Sequence, residues 1–226
     1  NMSSSPNSAA HVPIGTQSSG QGHETVFPQL VSEILGVPYE AVRIVTGDSD
    51  VVGIGGGTHS DRSMRLGGIV MREASEKVIE KGREIAVELL EAAAEDITFT
   101  AGGYRVRGTD RTVGLFDVAA RAEGQNITAD SLFRGRSAAY PNGAAVSEVE
   151  IDPVTGTLSL IAHATVDDPG RAINPMILMG QAHGSIVQGV GQAMIENGYY
   201  DPETGQLIAG SFMDYGHGIC PGKQQL

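Results

Sequence analysis

The stretch AVSEVEIDPVTGTLSLIAHATV, residues 145–166, decides the fold class of this chain. Apolar and polar residues alternate in its first part, and the sequence D-P-V-T-G at 152–156 has the chemistry of a tight turn. A second apolar segment, 158–166, follows, so the stretch predicts an antiparallel β-hairpin. Because Val149 and Ile151 share one face of the first strand, we expect that face to be buried.

Two glycine-rich loops, each followed by a helical pattern, precede this hairpin. The loop at 15–25 leads into apolar residues at helical spacing that continue to Leu35, and Pro28 is compatible with this helix only in its first turn. The loop at 53–63 leads into a longer helix, which the spacing extends to about Ala94. The first part of the chain is therefore helical as well as extended.

The remaining segments mix strands and helices. The pattern predicts a strand at 42–45, a second hairpin at 97–106, a short helix at 115–122 and a glycine-rich helix at 179–196. Glycines are costly inside a helix, so the last segment indicates close packing against another backbone or room for a ligand. Because strands and helices do not alternate regularly as β-α-β, we predict an α+β fold with mixed β-sheets and packed helices.

Length and charge limit the organisation and the partners. A chain of 226 residues forms one large domain or two small lobes, for which we expect a region at 12–215 divided at about 140/141. Residues 1–11 are Ser-rich without apolar periodicity and are expected to be a disordered leader, and 216–226 an atypical tail. A net charge of −12 argues against binding to nucleic acid or to an anionic membrane surface.

The cysteine content and the lengths of the apolar runs indicate the cellular compartment of the protein. Cys220 is the single cysteine, so no intramolecular disulfide and no thiolate-held cluster can form. No apolar run has the length of a membrane span, and no secretory signal pattern is present. We therefore expect a cytoplasmic protein with no membrane partner.

Both glycine loops precede a helix, where free backbone N–H groups and the helix dipole favour an anion. Plain turns are the alternative interpretation, since neither loop has the pattern of a P-loop or of a dinucleotide-binding motif. His23, His59 and His183 lack the spacing of a metal site, and no G-x-S-x-G elbow is present. The acids at 167–168 are interpreted as part of a solvated turn. The residues alone predict no catalytic or metal-binding group.

Four motifs in order carry a family resemblance. They are G-T-Q-S-S-G-Q-G-H-E-T (15–25), T-G-D-S-D with a glycine loop and D-R-S (46–63), S-E-V-E-I-D-P-V-T-G (147–156), and G-Q-A-H-G-S-I-V-Q-G-V-G-Q-A (180–193). Together they resemble the molybdenum hydroxylases, the family of xanthine dehydrogenase, aldehyde oxidase and aerobic carbon monoxide dehydrogenase. The resemblance covers about 12–215 and implies the C-terminal molybdopterin-binding region of the large subunit.

The resemblance implies molybdopterin with molybdenum as the cofactor, its cytosine dinucleotide form included. It also implies a set of cofactor-binding residues that combines both glycine loops with the last helix: Ser19, Gly20, Gln21, Gly22, Ser60, Asp61, Ser63 and Gln181. We expect these three segments to converge in one cleft. Asp61 departs from the family, which has serine there, and its charge near a phosphate needs compensation by Arg62.

The implied partners are the remainder of the large subunit and the iron–sulfur and FAD subunits or domains. The glutamate base of the family lies in a G-x-G-E motif downstream of the 180–193 segment, and residues 1–226 do not contain it. We therefore expect the chain alone to be inactive, to hold no tightly bound cofactor and to self-associate through an apolar docking face. Two alternatives stay open: a non-catalytic cofactor-handling or interaction module with the same fold, and a phosphate- or nucleotide-binding protein.

Overall fold

A computed structural model describes residues 2–5, 9–135 and 139–216. The chain divides into two units, Asn1–Arg136 (unit 1) and Ser137–Leu226 (unit 2). The expected tail lies outside the described residues from 217 onwards. In the described residues the elements of unit 1 are β1 Met2–Ser5, β2 Ala9–Pro13, α1 His23–Leu35, β3 Val42–Val45, α2 Arg62–Leu90, β4 Ile97–Thr100, β5 Gly103–Val106, β6 Thr112–Gly114, α3 Leu115–Arg121 and β7 Ile127–Ala129. Those of unit 2 are β8 Asn142–Ile151, β9 Leu158–Asp168 and α4 Pro175–Met194.

The larger sheet of unit 1 has the strand order β3-β2-β1-β7. β2 and β3 are parallel and are connected through α1, whereas β1 is antiparallel to both β2 and β7. Ala10 and Val12 alternate with less buried neighbours along β2, so every second residue contributes to the core. Parallel and antiparallel pairs thus occur in one sheet, which confirms the predicted α+β architecture.

The expected disordered leader is wrong for a large part of residues 1–11. Residues 2–5 and 9–11 pair in the sheet, with Ser3 opposite His11 on one side and opposite Thr128 on the other. Local sequence did not show this, because β1 has no apolar alternation and one of its two partner strands, β7, lies more than a hundred residues away. A Ser-rich sequence is compatible with a strand whose pairing comes from the main chain.

Helix α2 packs with a face of small residues. Gly67 leaves room for the side chains of Ile14 and Phe27, because a Cβ there would lie 3.2 Å from Ile14 Cδ1. At Gly82 a Cβ would collide with the hydroxyl of Tyr104, which is fully buried and donates to the carbonyl of Ile79 at 2.8 Å. Glycine and alanine at these positions therefore let α2 approach its neighbours closely.

Two sequence predictions for the helices of unit 1 need correction. Helix α1 begins at His23, so Pro28 lies in its second turn rather than its first. It remains tolerated there although it has no N–H to donate, and its side chain is buried. Helix α2 ends at Leu90, before the expected Ala94, because Glu91 adopts a left-handed conformation with φ 44°.

The predicted hairpin at 97–106 is confirmed. β4 and β5 pair antiparallel with Ile97 opposite Val106, and β6 extends them to a three-stranded sheet. Its turn lies against the end of α1, where the backbones of Gly36 and Gly102 meet too closely to admit a Cβ on either residue. Both glycines have positive φ, so this contact needs glycine on conformational grounds as well.

Unit 2 contains the hairpin that the 145–166 stretch predicts. β8 and β9 pair antiparallel, with a bulge between Glu148 and Val149, and the turn at 152–156 closes on the carboxylate of Asp152. The expectation of a buried face is wrong, because Val149 is 49% and Ile151 58% exposed. Alternation fixes which residues share a face, but the burial of that face depends on what packs against it.

Helix α4 begins with an ordinary capping arrangement. The side chain of Asn174 accepts from the N–H of Ile177 at 3.1 Å, and Pro175 occupies the first turn. The expected close packing of its glycines is absent in the described residues, since a Cβ on Gly180 or Gly184 would meet no atom within 4 Å. Among residues 139–216, Gly191 alone is buried.

None of the described helices combines the length and the apolar character that crossing a membrane requires.

Candidate functional site

The two glycine loops of unit 1 meet through their backbones. The N–H of Gly56 donates to the carbonyl of Gly15 at 3.0 Å. A Cβ on Gly15 would lie 2.7 Å from the Cα of Gly55, and a Cβ on Gly55 would lie 2.7 Å from the carbonyl oxygen of Gly15. Only glycine at both positions permits this approach, so the two loops form one surface although some forty residues separate them.

A cluster of three hydroxyls, Thr16, Thr58 and Ser63, joins the same loops. Thr16 Oγ1 lies 2.7 Å from Thr58 Oγ1 and 2.6 Å from Ser63 Oγ, and Thr16 and Ser63 are buried. Thr58 also donates to the carbonyl of Gln17 and accepts from its N–H at 3.2 Å. Neither Thr16 nor Thr58 is among the site residues predicted from sequence. Their contacts span more than forty residues and have no local signal.

Both loops end at helix N-termini that no described side chain caps. Gly22 precedes α1 with φ 77°, and Asp61 precedes α2 with φ 60°, both left-handed. Gly22 has no side-chain oxygen, and the side chain of Asp61 does not cap α2. In the first turns, the N–H of Thr25 donates to the carbonyl of Gly22 and the N–H of Arg62 donates to the carbonyl of His59. The positive end of each helix dipole and the first-turn amides outside these bonds favour water or an anionic ligand.

His23 adds a buried polar atom at the start of α1. Its ring stacks on Phe27 with centroids 4.7 Å apart and an interplanar angle of 13°. Its Nδ1 is buried and has no hydrogen-bond partner among the described residues. Burial lowers the pKa of the imidazole, an effect that the nearby Glu24 partly opposes. A neutral ring with an unpaired nitrogen can bond a polar ligand, and without one it carries the cost of a buried unsatisfied group.

The segment at 57–62 is held by Arg62 rather than by Asp61. The guanidinium of Arg62 donates to the carbonyl of Gly57 at 2.5 Å and packs against Gly56. Ser60 and Asp61 are exposed and have φ of 49° and 60°, which is unusual for residues with a side chain. Arg62 thus binds its positive charge to the backbone of the loop that ends at the exposed Asp61, and the compensation of the Asp61 carboxylate by Arg62 stays a prediction.

The structure brings together in unit 1 the two loops that carry the predicted site, and the third segment belongs to unit 2. Ser19, Gly20, Gln21 and Gly22 lie in the first loop, where the side chain of Gln21 accepts from the N–H of Ser19 at 2.5 Å. Ser60, Asp61 and Ser63 lie in the second. Gln181 is exposed on α4 in unit 2, and its proximity to the loops stays a prediction.

An apolar cavity of about 510 Å³ borders both loops. Of the predicted site residues, Ser63 is the one that lines it, beside Thr16, Arg62 and the apolar side chains of Ile14 and Leu66. Its lining is more apolar than polar but also includes Gly15, Gly55 and Gly56, so the cavity adjoins the contact between the two loops. Among the described residues no three histidine, cysteine, aspartate or glutamate side chains are grouped as metal ligands.

Comparisons with known proteins agree on one protein family. The family of molybdopterin cofactor-binding domains matches residues 3–217. The gamma subunit of the 6-hydroxypseudooxynicotine dehydrogenase complex of Paenarthrobacter nicotinovorans is 38% identical over 224 residues, 95% of this chain and 28% of that protein. The carbon monoxide dehydrogenase large chain of Hydrogenophaga pseudoflava is 31% identical over 218 residues, 93% of this chain and 27% of that protein.

A solved structure agrees with these relatives. Reconstituted carbon monoxide dehydrogenase from Oligotropha carboxidovorans superimposes with a TM-score of 0.83 at 30% identity, covering 95% of this chain and 28% of that one. The chain therefore spans little more than a quarter of the length of the proteins it is similar to. Since the family match covers nearly the whole chain and the fold agrees, the chain belongs to the molybdenum hydroxylase family and corresponds to its molybdopterin cofactor-binding region.

Proposed function

We propose that the first turns of α1 and α2, with the two glycine loops before them, hold the phosphate and pterin of molybdopterin. The observation that carries the proposal is that these two uncapped helix N-termini lie behind loops hydrogen-bonded to each other through Gly15 and Gly56. Two sets of backbone N–H groups thus belong to one surface. A phosphate needs several such donors, and a helix dipole strengthens each.

The residues present fit the cofactor chemically. A pterin is a planar heterocycle with hydrogen-bond donors and acceptors on its edge, and the loops offer hydroxyls, amides and the unpaired Nδ1 of His23. Cβ positions built on Gly20 and Gly57 would meet no atom within 4 Å, so both loops have open space on their outer side. Gly20, Gln21 and Gly57 would bind and orient the cofactor, and Arg62 would balance the charge of Asp61.

Bound molybdopterin would supply a redox-active molybdenum centre, while this chain supplies binding and orientation. We propose that the cytosine dinucleotide form is accepted and that Gln181 completes the site from α4. We further propose that residues 1–226 do not turn over substrate unaided, because they contain neither the family's glutamate motif nor cysteines for iron–sulfur clusters. The remainder of a large subunit and the iron–sulfur and FAD subunits would be its partners.

The binding proposal is tested by equilibrium dialysis of the chain against molybdopterin released anaerobically from a purified molybdoenzyme. Pterin is quantified by the fluorescence of its oxidised form, and ATP is measured in parallel. We expect saturable binding of molybdopterin and none of ATP. Saturable ATP binding without pterin would favour the alternative of a nucleotide-binding protein, and binding of neither would refute the proposal.

A matched pair of glycine variants locates the site. Gly57 and Gly108 have φ of 68° and 74°, and a Cβ placed on either residue would have no neighbouring atom within 4 Å. Gly57→Ala and Gly108→Ala therefore impose similar backbone strain, but only Gly57 lies in the proposed site. We expect Gly57→Ala to weaken molybdopterin binding at least tenfold and Gly108→Ala to leave it unchanged. Equal binding by both variants would place the ligand elsewhere.

The proposed inactivity has its own assay. The chain is mixed with aldehydes, purines, N-heterocycles or carbon monoxide and an artificial electron acceptor. We expect no reduction of the acceptor above the rate without protein, and steady turnover would contradict the proposal.

A further inference from the structure

The hydroxyl cluster of Thr16, Thr58 and Ser63 has a single consistent direction of donation along its shortest contacts. Thr58 donates to the carbonyl of Gln17, so it must accept at its oxygen. Thr16 can then donate to Thr58 at 2.7 Å and accept from Ser63 at 2.6 Å. All three protons have acceptors, and the chain runs from the start of α2 through Thr16 to the backbone of the first loop.

Thr16 is the central member of this chain. It is buried, with 6% of its surface exposed, and it contacts both of the other hydroxyls. Without its oxygen, Ser63 can still donate directly to Thr58, but over 3.2 Å. Removal of the Thr16 hydroxyl therefore breaks the two shortest contacts between hydroxyls, and leaves the long one and the bonds of Thr58 to the backbone of Gln17. Removal of the Ser63 hydroxyl leaves the contact of Thr16 with Thr58 intact.

The cluster lies next to the backbone contact between the loops. Thr16 follows Gly15, whose carbonyl accepts from Gly56, and Thr58 follows Gly57 in the second loop. The carbonyl of Gly57 in the second loop lies 3.4 Å from Thr16 Oγ1 and accepts a shorter bond from Arg62. That bond lies within one loop and its own helix, so it cannot fix the second loop against the first. The hydroxyl cluster can fix the second loop against the first, because its members come from both loops.

We propose that Thr16 is a positioning residue that holds the two glycine loops in fixed relative geometry before any ligand binds. Thr16 itself need not touch the ligand. Its hydroxyl orders Thr58 and Ser63, and these two order the 53–61 loop and the start of α2. A ligand that bridges the two loops then binds to a surface already formed and does not pay for ordering it. The effect on ligand affinity, but not the effect on the loop, rests on the function proposed above.

The direct test is amide hydrogen exchange in the 226-residue chain, with the N–H of Gly56 as the reporter. Thr16→Val removes the hydroxyl and keeps the β-branched shape, and Thr16→Ser keeps the hydroxyl. Thr128→Val is the control, because Thr128 is exposed on β7. We expect exchange at Gly56 to rise at least tenfold in Thr16→Val, which corresponds to about 1.4 kcal/mol. Thr16→Ser and Thr128→Val are expected to exchange as the wild type does.

A folded Thr16→Val variant with wild-type exchange at Gly56 would overturn the inference. If Thr16→Val does not fold, Ser63→Ala decides in its place. Exchange at Gly56 in that variant should rise by a smaller factor, and unchanged exchange would again overturn the inference.

Molybdopterin affinity supplies the second readout. We expect Thr16→Val to bind about tenfold more weakly and Thr16→Ser to restore the wild-type affinity. Faster exchange at Gly56 with unchanged affinity would overturn the part of the inference that concerns binding. A wild-type chain that binds no molybdopterin would refute the proposed function, while the exchange rates would still decide whether Thr16 holds the loops.

Discussion

The contact between Gly82 of α2 and Tyr104 of β5 gives the sharpest prediction about stability. A methyl group at Gly82 would overlap the Tyr104 hydroxyl, which donates to the carbonyl of Ile79 at 2.8 Å. Overpacking of this kind costs about 1–3 kcal/mol. Alanine gains about 1 kcal/mol over glycine through its helix propensity. Gly82→Ala should therefore lower the free energy of unfolding by up to about 2 kcal/mol.

A second substitution separates the overlap from other causes. Tyr104→Phe removes the hydroxyl and its hydrogen bond, at a cost of about 1 kcal/mol. In the double variant the nearest remaining ring atom, Cζ, lies 2.9 Å from the new methyl group, so most of the overlap is relieved after a small shift. We expect the double variant to be more stable than the sum of the single effects, by about 1–3 kcal/mol.

The assay is urea unfolding followed by far-UV circular dichroism. The four chains are compared at equal concentration, and their m-values must agree for the differences to be interpreted as stability. Additive destabilisation in the double variant would show that Gly82 and Tyr104 do not share the space that the structure assigns to them. Burial raises the pKa of Tyr104 well above its ordinary value, so the result should not change between about pH 6 and 9.

Two further predictions concern unit 2. The N–H groups of Val154 and Thr155 lower the pKa of Asp152. The turn should therefore keep its stabilisation above the pKa of an unfolded aspartate, about 3.9, and lose it only as pH falls through the lower pKa of the folded state. An NMR titration of the Val154 amide with the same midpoint as in an unfolded peptide of this sequence would contradict this prediction. Val149→Asp should change the melting temperature little, because Val149 is half exposed, and it should reduce self-association measured by sedimentation velocity. A large loss of stability would show that the β8 face is covered in solution.

The parts of the fold that sequence predicted are those with local causes. The 145–166 hairpin follows from a period of two and a turn whose aspartate accepts two backbone amides, and α2 follows from apolar residues at helical spacing. The strand Met2–Ser5 has no such signal, because it has no apolar alternation and one of its two partners, β7, is far away in sequence. The exposed face around Val149 was mispredicted for the same reason, since burial is a property of the neighbours.

The candidate site likewise has a part that the sequence predicts and a part that it does not. The two loops could be chosen from their glycines and the helices after them, and the structure joins them in unit 1. The side chains that join the loops could not be chosen from the sequence, because Thr16 and Ser63 are 47 residues apart and a threonine next to a glycine is common in turns. The family resemblance implies a ligand contact at Ser63, which stays a prediction; in the structure its hydroxyl is bonded to Thr16 and Thr58.

The pairing of β1 has a consequence for the order in which unit 1 forms. During synthesis, Met2–Ser5 leaves the ribosome before the rest of unit 1, but one of its two neighbours, β7, is made only after both long helices. The sheet therefore cannot be completed until nearly all of unit 1 has been translated, and closing so long a loop is slow. Until then β1 can pair with the adjacent β2, and β2 and β3 can pair around α1, so what waits for the late strand β7 is the free edge of the early strand β1.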